Sequence, residues 1–422
     1  MSENFGECIG HISTISMRLL IVAQEFPFPP VNGIQHKLYN LLQILTMQHE
    51  CDLISATPPE DDQAARDWVS SNDRLRLFDF SRNIKSAYKL NQDSFIGMLR
   101  GVPPFAARFE TDELASHITL SLTQNEYDVV YFDLISMAQF GRLVDQTPII
   151  VSLNDSVSRA QIEASRCATT LLGKISNRIY SSVSSRYEKK ILNQFDLVHV
   201  VSPVEREWLV DKGVTTEIAV VPISVADEFL KRPVAELPVA IPNTIFWSGN
   251  LSFDSITSGL LAFIRKSFPS IIDRIPDVQL NILSRSGGSK LEREIQGKHI
   301  NRLEYVHDYI GAIDRCHIAL FSDAGGTGLQ NRLIQAMARG KACVCSRSVT
   351  SSFMGVENVH YLACDDDEDY VLHIEDLLSS KTRALKLGNS ARNLVEFYYS
   401  HAAVSGQWND LFKSMLRGHD VR

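Results

Sequence analysis

Short apolar runs alternate with helix-period segments along nearly the whole chain. That alternation restricts it to folds built on parallel sheets. Residues 19–23 (Leu-Leu-Ile-Val-Ala) read as a buried strand. They run into a stiff proline loop, 24–33 (Gln-Glu-Phe-Pro-Phe-Pro-Pro-Val-Asn-Gly). Leu38, Leu41, Leu42 and Leu45 then recur at helical spacing, and 51–56 is the next strand. Such a βαβ opening implies parallel pairing. Further strands are expected at 75–80, 129–133, 149–153, 197–202 and 218–222, and a helix broken at Pro103-Pro104 over 83–107. Pro233, Pro238 and Pro242, with charges between them, mark 226–243 as a linker. Beyond it the pattern restarts, with strands at 244–247, 279–283, near 303–306, at 317–321 and at 360–363, and a helix over about 256–268. The expected fold is α/β, with two doubly wound Rossmann-like domains facing a central cleft lined by strand carboxyl ends. The divisions are an N-terminal extension (1–16), a first domain (17–225), the linker (226–243), a second domain (244–399) and a C-terminal helix (400–422).

Composition narrows the class further. A chain of 422 residues exceeds one core. With 42 Lys and Arg against 50 Asp and Glu the net charge is −8, which argues against broad nucleic-acid binding. The seven cysteines (Cys8, Cys51, Cys167, Cys316, Cys343, Cys345 and Cys364) are scattered, with no CxxC pair. Cys343 and Cys345 alternate on one strand and are expected as buried thiols. This usage fits a reducing cytoplasm and gives no expectation of a disulfide framework or a metal site. No apolar run reaches the roughly 18 residues of a membrane-spanning helix. Residues 1–16 lack the basic start and apolar core of a signal peptide. Since Met17 opens the first strand directly, 1–16 is either a loose tail or lies ahead of the true start.

The stretch 321–346 carries the most chemistry. It reads as strand, glycine turn, helix, turn, strand. Gly325, Gly326 and Gly328 allow close backbone approach, and Thr327 can cap the helix that follows. Leu329, Leu333, Ala336 and Met337 give that helix an apolar face. Gly328, Asn331, Gln335 and Arg339 fall on the opposite stripe, with Arg332 beside it. Free N–H groups at such a helix start attract phosphate. A turn that merely packs helix on sheet has the same composition. At 154–156, Asn-Asp-Ser follows a strand, so Asp155 is either a sugar-contacting group or part of a helix cap. Residues 159–190 are helical and locally basic, with Arg159, Arg166, Lys174, Arg178, Arg186, Lys189 and Lys190 among Ile162, Leu171, Leu172, Ile175 and Ile179. Either a solvated face or an anionic membrane contact explains that pattern. The acidic run 365–369 needs only the dipole of the helix it starts.

Several of these segments resemble the GT-B glycosyltransferases, most closely the retaining family 4 type. The opening strand with its proline–glycine loop, Asp196 to Ser202, and Phe246-Trp247-Ser248-Gly249-Asn250-Leu251 are similar to that family's landmarks. The most specific match is Gly326-Thr327-Gly328-Leu329-Gln330-Asn331-Arg332-Leu333-Ile334-Gln335-Ala336-Met337-Ala338-Arg339-Gly340-Lys341. The resemblance implies a nucleotide-diphosphate sugar on the second domain as co-substrate, with no metal or other cofactor, and an acceptor on the first. Donor contacts would come from Gly326, Thr327, Gly328, Leu329, Asn331, Gln335 and Gly249, with Arg285 as a second positive charge. Arg332 would neutralise the leaving diphosphate. Asp155, Gly33 and Asn154 would face the acceptor. The implied function is glycosyl transfer with retention to a glycan or lipid-linked acceptor, in polysaccharide or glycoconjugate biosynthesis. It would take place in the cytoplasm, with 159–190 as a peripheral contact at the inner membrane face. Gln335 stands where the family has a glutamate, and 248–259 lacks the family's Arg…Lys pair. These departures motivate an alternative, a non-catalytic GT-B binding or scaffold protein. A sugar-nucleotide epimerase is a third reading.

Overall fold

The computed structural model describes residues 16–59, 61–81, 102–168, 170–233, 236–284, 297–303, 308–325 and 328–419. Within them the chain forms two parallel sheets. The first holds β1 (Arg18–Ala23), β2 (Glu50–Ser55), β3 (Leu75–Phe80), β4 (Val129–Asp133), β5 (Ile149–Leu153), β6 (Leu197–Val200) and β7 (Ile218–Val220), in the order β3-β2-β1-β4-β5-β6-β7. The second holds β8 (Ile241–Ser248), β9 (Gln279–Leu283), β10 (Ile300–Leu303), β11 (Cys316–Phe321), β12 (Ala342–Ser346) and β13 (Leu362–Cys364), in the order β10-β9-β8-β11-β12-β13. In each sheet the winding direction reverses beside the first strand, between β1 and β4 and between β8 and β11. Ligands of such sheets bind at these reversals. The expected fold class of two doubly wound α/β domains therefore holds.

Both faces of each sheet are covered, which is why the strands are continuous apolar runs rather than alternating ones. Leu20, Val22, Val130 and Phe132 fill one face of the first sheet, and Leu19, Ile21, Val129 and Tyr131 fill the other. In the second sheet, Ile245, Trp247, Ile318 and Leu320 face one layer, and Phe246, Ala319, Phe321, Cys343 and Cys345 the opposite one. Cys343 and Cys345 are thus buried free thiols on one face, as their spacing predicted.

The chain crosses between domains twice, and the crossings touch. Val225 donates its backbone N–H to the Tyr399 carbonyl at 2.8 Å. Val225 and Phe229 pack into the second core with Phe246 and Met337. The helix Lys381–Tyr398 covers the second domain, and His401–His419 returns to the first. There Val404, Trp408 and Phe412 bury against the cluster of Leu19 and Ile21.

Several sequence expectations need correction. The segment 159–190 is not one helix. Val157–Cys167 ends at Ala168, and Leu171–Leu192 restarts with the Thr170 hydroxyl accepting from the Gly173 N–H. The helix expected over 256–268 begins at Asp254 and continues through a π turn, Phe263–Ser267, to Arg274. The glycine-turn helix is shorter than expected, Asn331–Ala338, and Gln330 rather than Thr327 occupies its cap position. Arg339 does not share the outer stripe. It lies just past the helix and is buried, paired with Asp314. Of the helix expected over 83–107, residues 83–101 lie outside the described residues, and Pro104–Ala107 is helical.

Candidate functional site

Gly249 and Asp323 follow the carboxyl ends of strands for local reasons. β8 ends at Ser248, and Gly249 follows with its N–H on the Leu283 carbonyl at 3.3 Å. A Cβ on Gly249 would lie 2.7 Å from the Trp247 ring, 2.8 Å from Ile256 and 3.0 Å from the Arg332 guanidinium. Only glycine leaves room there for Arg332. β11 ends at Phe321, and the Ser322–Ala324 backbone passes so close to the helix Asp254–Ala262 that a Cβ on Gly259 would sit 1.9 Å from the Ser322 oxygen. The turn beyond leads to Gly328, whose φ of +77° favours glycine.

Arg332 opens the helix Asn331–Ala338 and is the charged centre of the site. Its guanidinium donates to the Ser248 carbonyl and to the Asp323 carboxylate, and lies over the Phe321 ring at 5.7 Å from the centroid. Burial pushes the Asp323 carboxyl up from its ordinary range, and the Arg332 charge opposes that shift. Tyr309, half-buried beside Arg332, shares a 3.1 Å hydrogen bond with the Ser248 hydroxyl. Among the described residues no side chain caps this helix start, a place that suits an anion. Asn331 and Gln335 are half-buried on this helix, while Leu329 packs partly against the core. Gly326, Thr327 and Arg285 lie outside the described residues.

The two domains meet at this point. A Cβ on Gly328 would lie 3.4 Å from the Asn154 carbonyl oxygen and 3.7 Å from Asp155 Cβ. The structure therefore brings Gly328 of the second domain against Asn154 and Asp155 of the first. The capping question resolves one residue on: Ser156 is the cap, its hydroxyl accepting from the Arg159 N–H at 3.3 Å. Asp155 is not needed for that role. Sequence reading missed what lies beneath. Glu205 accepts from the Ser156 N–H at 2.8 Å and pairs with the buried Arg159. Glu188 accepts the Ser156 hydroxyl at 3.0 Å and the Ser158 N–H at 3.3 Å. Two buried carboxylates under a helix start suit its dipole, and they hold the Asn154–Ser156 turn from below.

Burial pushes Glu188 up from 4.5 to about 7, against the pull of its hydrogen bonds from Ser158 and Ser156. A carboxyl raised in the folded state adds stability below its unfolded pKa, and that stability is lost as pH rises through the folded value. Glu188→Gln removes the titration. Wild-type stability relative to Glu188→Gln should therefore fall as pH rises from about 4.5 to about 7, by on the order of 2–3 kcal/mol. Thermal melts of both proteins across that window measure it; parallel curves would show that Glu188 does not titrate there.

On the first domain, Gly33 starts the helix Gly33–Leu45 with nothing within 4 Å of a Cβ, so no close approach demands glycine there. A cavity of about 360 Å³ lies nearby, lined by Gln24, Glu25, Phe28, Gln35, Phe105 and Arg108 among others. The proline loop signals its position in sequence, but Phe105 and Arg108 reach it from far along the chain. Among the buried polar atoms that lack a hydrogen-bond partner in the described residues, four lie just past strand ends: Asn154 Oδ1 after β5, Ser284 Oγ after β9, and Ser322 Oγ and Asp323 Oδ1 after β11. Buried polar atoms are ordinarily paired, so each of these is a point where water or a polar ligand group fits.

Residues 31–229 match the model of the glycosyltransferase family 4, and residues 242–380 that of the group 1 glycosyl transferases. No curated protein matches the chain in sequence. Solved structures are similar in fold. Sucrose-phosphate synthase from Thermosynechococcus elongatus is 16% identical with a TM-score of 0.68, over 95% of this chain and 100% of that one. HepE of Anabaena, in complex with UDP, is 12% identical with a TM-score of 0.67, over 94% of this chain and 100% of that one. TarM is 10% identical with a TM-score of 0.66, over 94% and 98%, and S. aureus TarM has been seen with UDP and α-GlcNAc-glycerol. The two family matches tile the two domains on either side of the crossover, and the chain belongs to the GT-B glycosyltransferases.

Proposed function

We propose that this glycosyltransferase moves a sugar from a nucleotide-diphosphate sugar on the second domain to an acceptor hydroxyl on the first, with retention of configuration. The carrying observation is Arg332. It stands at an uncapped helix start, beside the Gly249 turn, on the domain whose Gly328 faces Asn154 and Asp155. A cation fixed there stabilises charge developing on the departing diphosphate, and the paired domains supply proximity. The reading needs no metal, because Arg332 and the helix N–H groups carry the charge neutralisation. Structural neighbours seen with UDP or UDP-glucose support a nucleotide-sugar donor. The cavity near the proline loop combines aromatic rings with amide, carboxylate and guanidinium groups, a set that suits a sugar ring, so it supports a glycan or lipid-linked acceptor.

A thermal-shift series with the common nucleoside diphosphates tests the donor site. A ligand that binds only the native state at about 100 times its Kd stabilises it by about 2.7 kcal/mol, which reads as a rise of a few degrees. The expected result is such a rise with one base and little with the others. No rise with any of them removes the donor assignment. It would instead favour a non-catalytic binding module, a reading with its own support in Gln335 at the family's glutamate position and in the Arg332–Asp323 pair.

A further inference from the structure

Among the described residues, nothing covers one face of the helix Leu171–Leu192. Leu171 and Leu172 are 73% and 81% exposed at its start, and Ile175 and Ile179 are 47% and 59% exposed one and two turns on. Large aliphatic side chains so exposed, side by side on one helix, are a cost in water unless something covers them. The charges on the same helix are one-sided. Lys174, Arg178, Arg186, Lys189 and Lys190 are all exposed, and the only acid, Glu188, is fully buried under the Ser156 turn. Lys189 reaches toward the Gly213 turn, where Lys212 lies over the Trp208 ring and the exposed Asp211 adjoins it, so the basic strip ends there. The whole chain carries −8, so this strip runs against its overall charge.

We infer that this face docks the protein on an anionic lipid surface, with Leu171, Leu172, Ile175 and Ile179 inserted and the cations over the headgroups. Charge complementarity selects an anionic partner, and two further features select a bilayer over an acidic protein. The apolar residues protrude from a convex helix rather than lining a groove. Four aliphatic side chains also fall well short of the roughly 800 Å² per partner that a stable protein interface buries. Shallow insertion combined with several cations is what interfacial helices use. Each Lys or Arg near an anionic surface adds a salt-sensitive increment that fades beyond the Debye length. The inference does not depend on the donor or acceptor assignments. Arg159, part of the basic segment in sequence, has no place in it because it is buried against Glu205.

Flotation of the full chain with vesicles of phosphatidylcholine alone, or mixed with phosphatidylglycerol, tests this. The expected result is binding to the mixed vesicles only, weakened by salt. Leu171→Ser with Leu172→Ser should weaken it roughly tenfold, and Lys174→Glu with Arg178→Glu by at least as much. Neither pair should move the thermal melt, since these side chains contact mainly solvent. Absence of binding to the mixed vesicles overturns the inference and leaves an acidic protein as the occupant. Binding that survives both double variants overturns it as well, since another surface would then be responsible.

Discussion

Arg332→Ala is expected to lower turnover roughly 10²–10³-fold, the usual cost of removing one fixed charge-stabilising group from a transition state. Two features of the structure underlie the size of the effect. The guanidinium is held from two sides, by the Ser248 carbonyl and by Asp323, so it is pre-positioned rather than mobile. It also sits in a largely buried environment, where a charge acts more strongly than in water. Arg332→Lys should recover part of the loss, because a lysine supplies the charge without the planar fork. The measurement is release of the nucleoside diphosphate from whichever donor the wild type turns over. Melting temperature serves as a control, because alanine also strips Asp323 of its counter-ion. Unchanged turnover in a folded Arg332→Ala protein would end the assignment of this arginine to the diphosphate. An equal loss in Asp323→Asn, with Arg332 intact, would identify Asp323 as the group that orients it.

The strands were legible because a strand covered on both faces must be apolar throughout, and runs such as 149–153 and 317–321 are short, apolar and bounded by turn residues. The two-domain division was legible for a related reason: proline and charge at 226–243 interrupt a βα pattern that then restarts. Pairings between distant residues were not legible. Asp323 lies nine residues before Arg332 across the glycine turn, and nothing in that spacing says that the carboxylate folds back onto the guanidinium. Glu188 and Glu205 reach Ser156 from 32 and 49 residues away, so the acids beneath the cleft turn look like ordinary helix acids in sequence. The helix break at 168–170 is marked in sequence only by Thr169-Thr170, a weak signal in a segment whose many serines could equally sit within a helix; Thr170 becomes the cap of the second helix. The basic character of 159–190 was visible, but its division into a buried part and an exposed part was not. That division depends on which helix face meets the sheet.

Arg339 was misread for the same reason, and its correction carries the largest expected stability effect. Helical periodicity placed it outside, yet the helix stops at Ala338 and the next residue turns inward. There its guanidinium meets Asp314 in a two-pronged pair, at 2.9 and 2.7 Å, and donates to the Phe229 carbonyl at 3.0 Å. Arg392 reinforces the arrangement, donating to the carbonyls of Ala338 and Leu230 at 3.0 Å each. Phe229 and Leu230 belong to the crossover from the first domain, so this buried network fastens the crossover to the second. Asp314→Ala leaves a guanidinium that is 2% exposed without a counter-ion. The expected cost is about 3–5 kcal/mol, a fall in melting temperature on the order of 10 °C. Replacing both partners, Asp314→Leu with Arg339→Met, should recover most of that loss, because burying an unpaired charge costs far more than losing the pair. A melt within about 1 °C of wild type for Asp314→Ala would mean that water or a rearranged carbonyl already serves Arg339. A double variant no more stable than Asp314→Ala would instead put the loss in the crossover contact to Phe229.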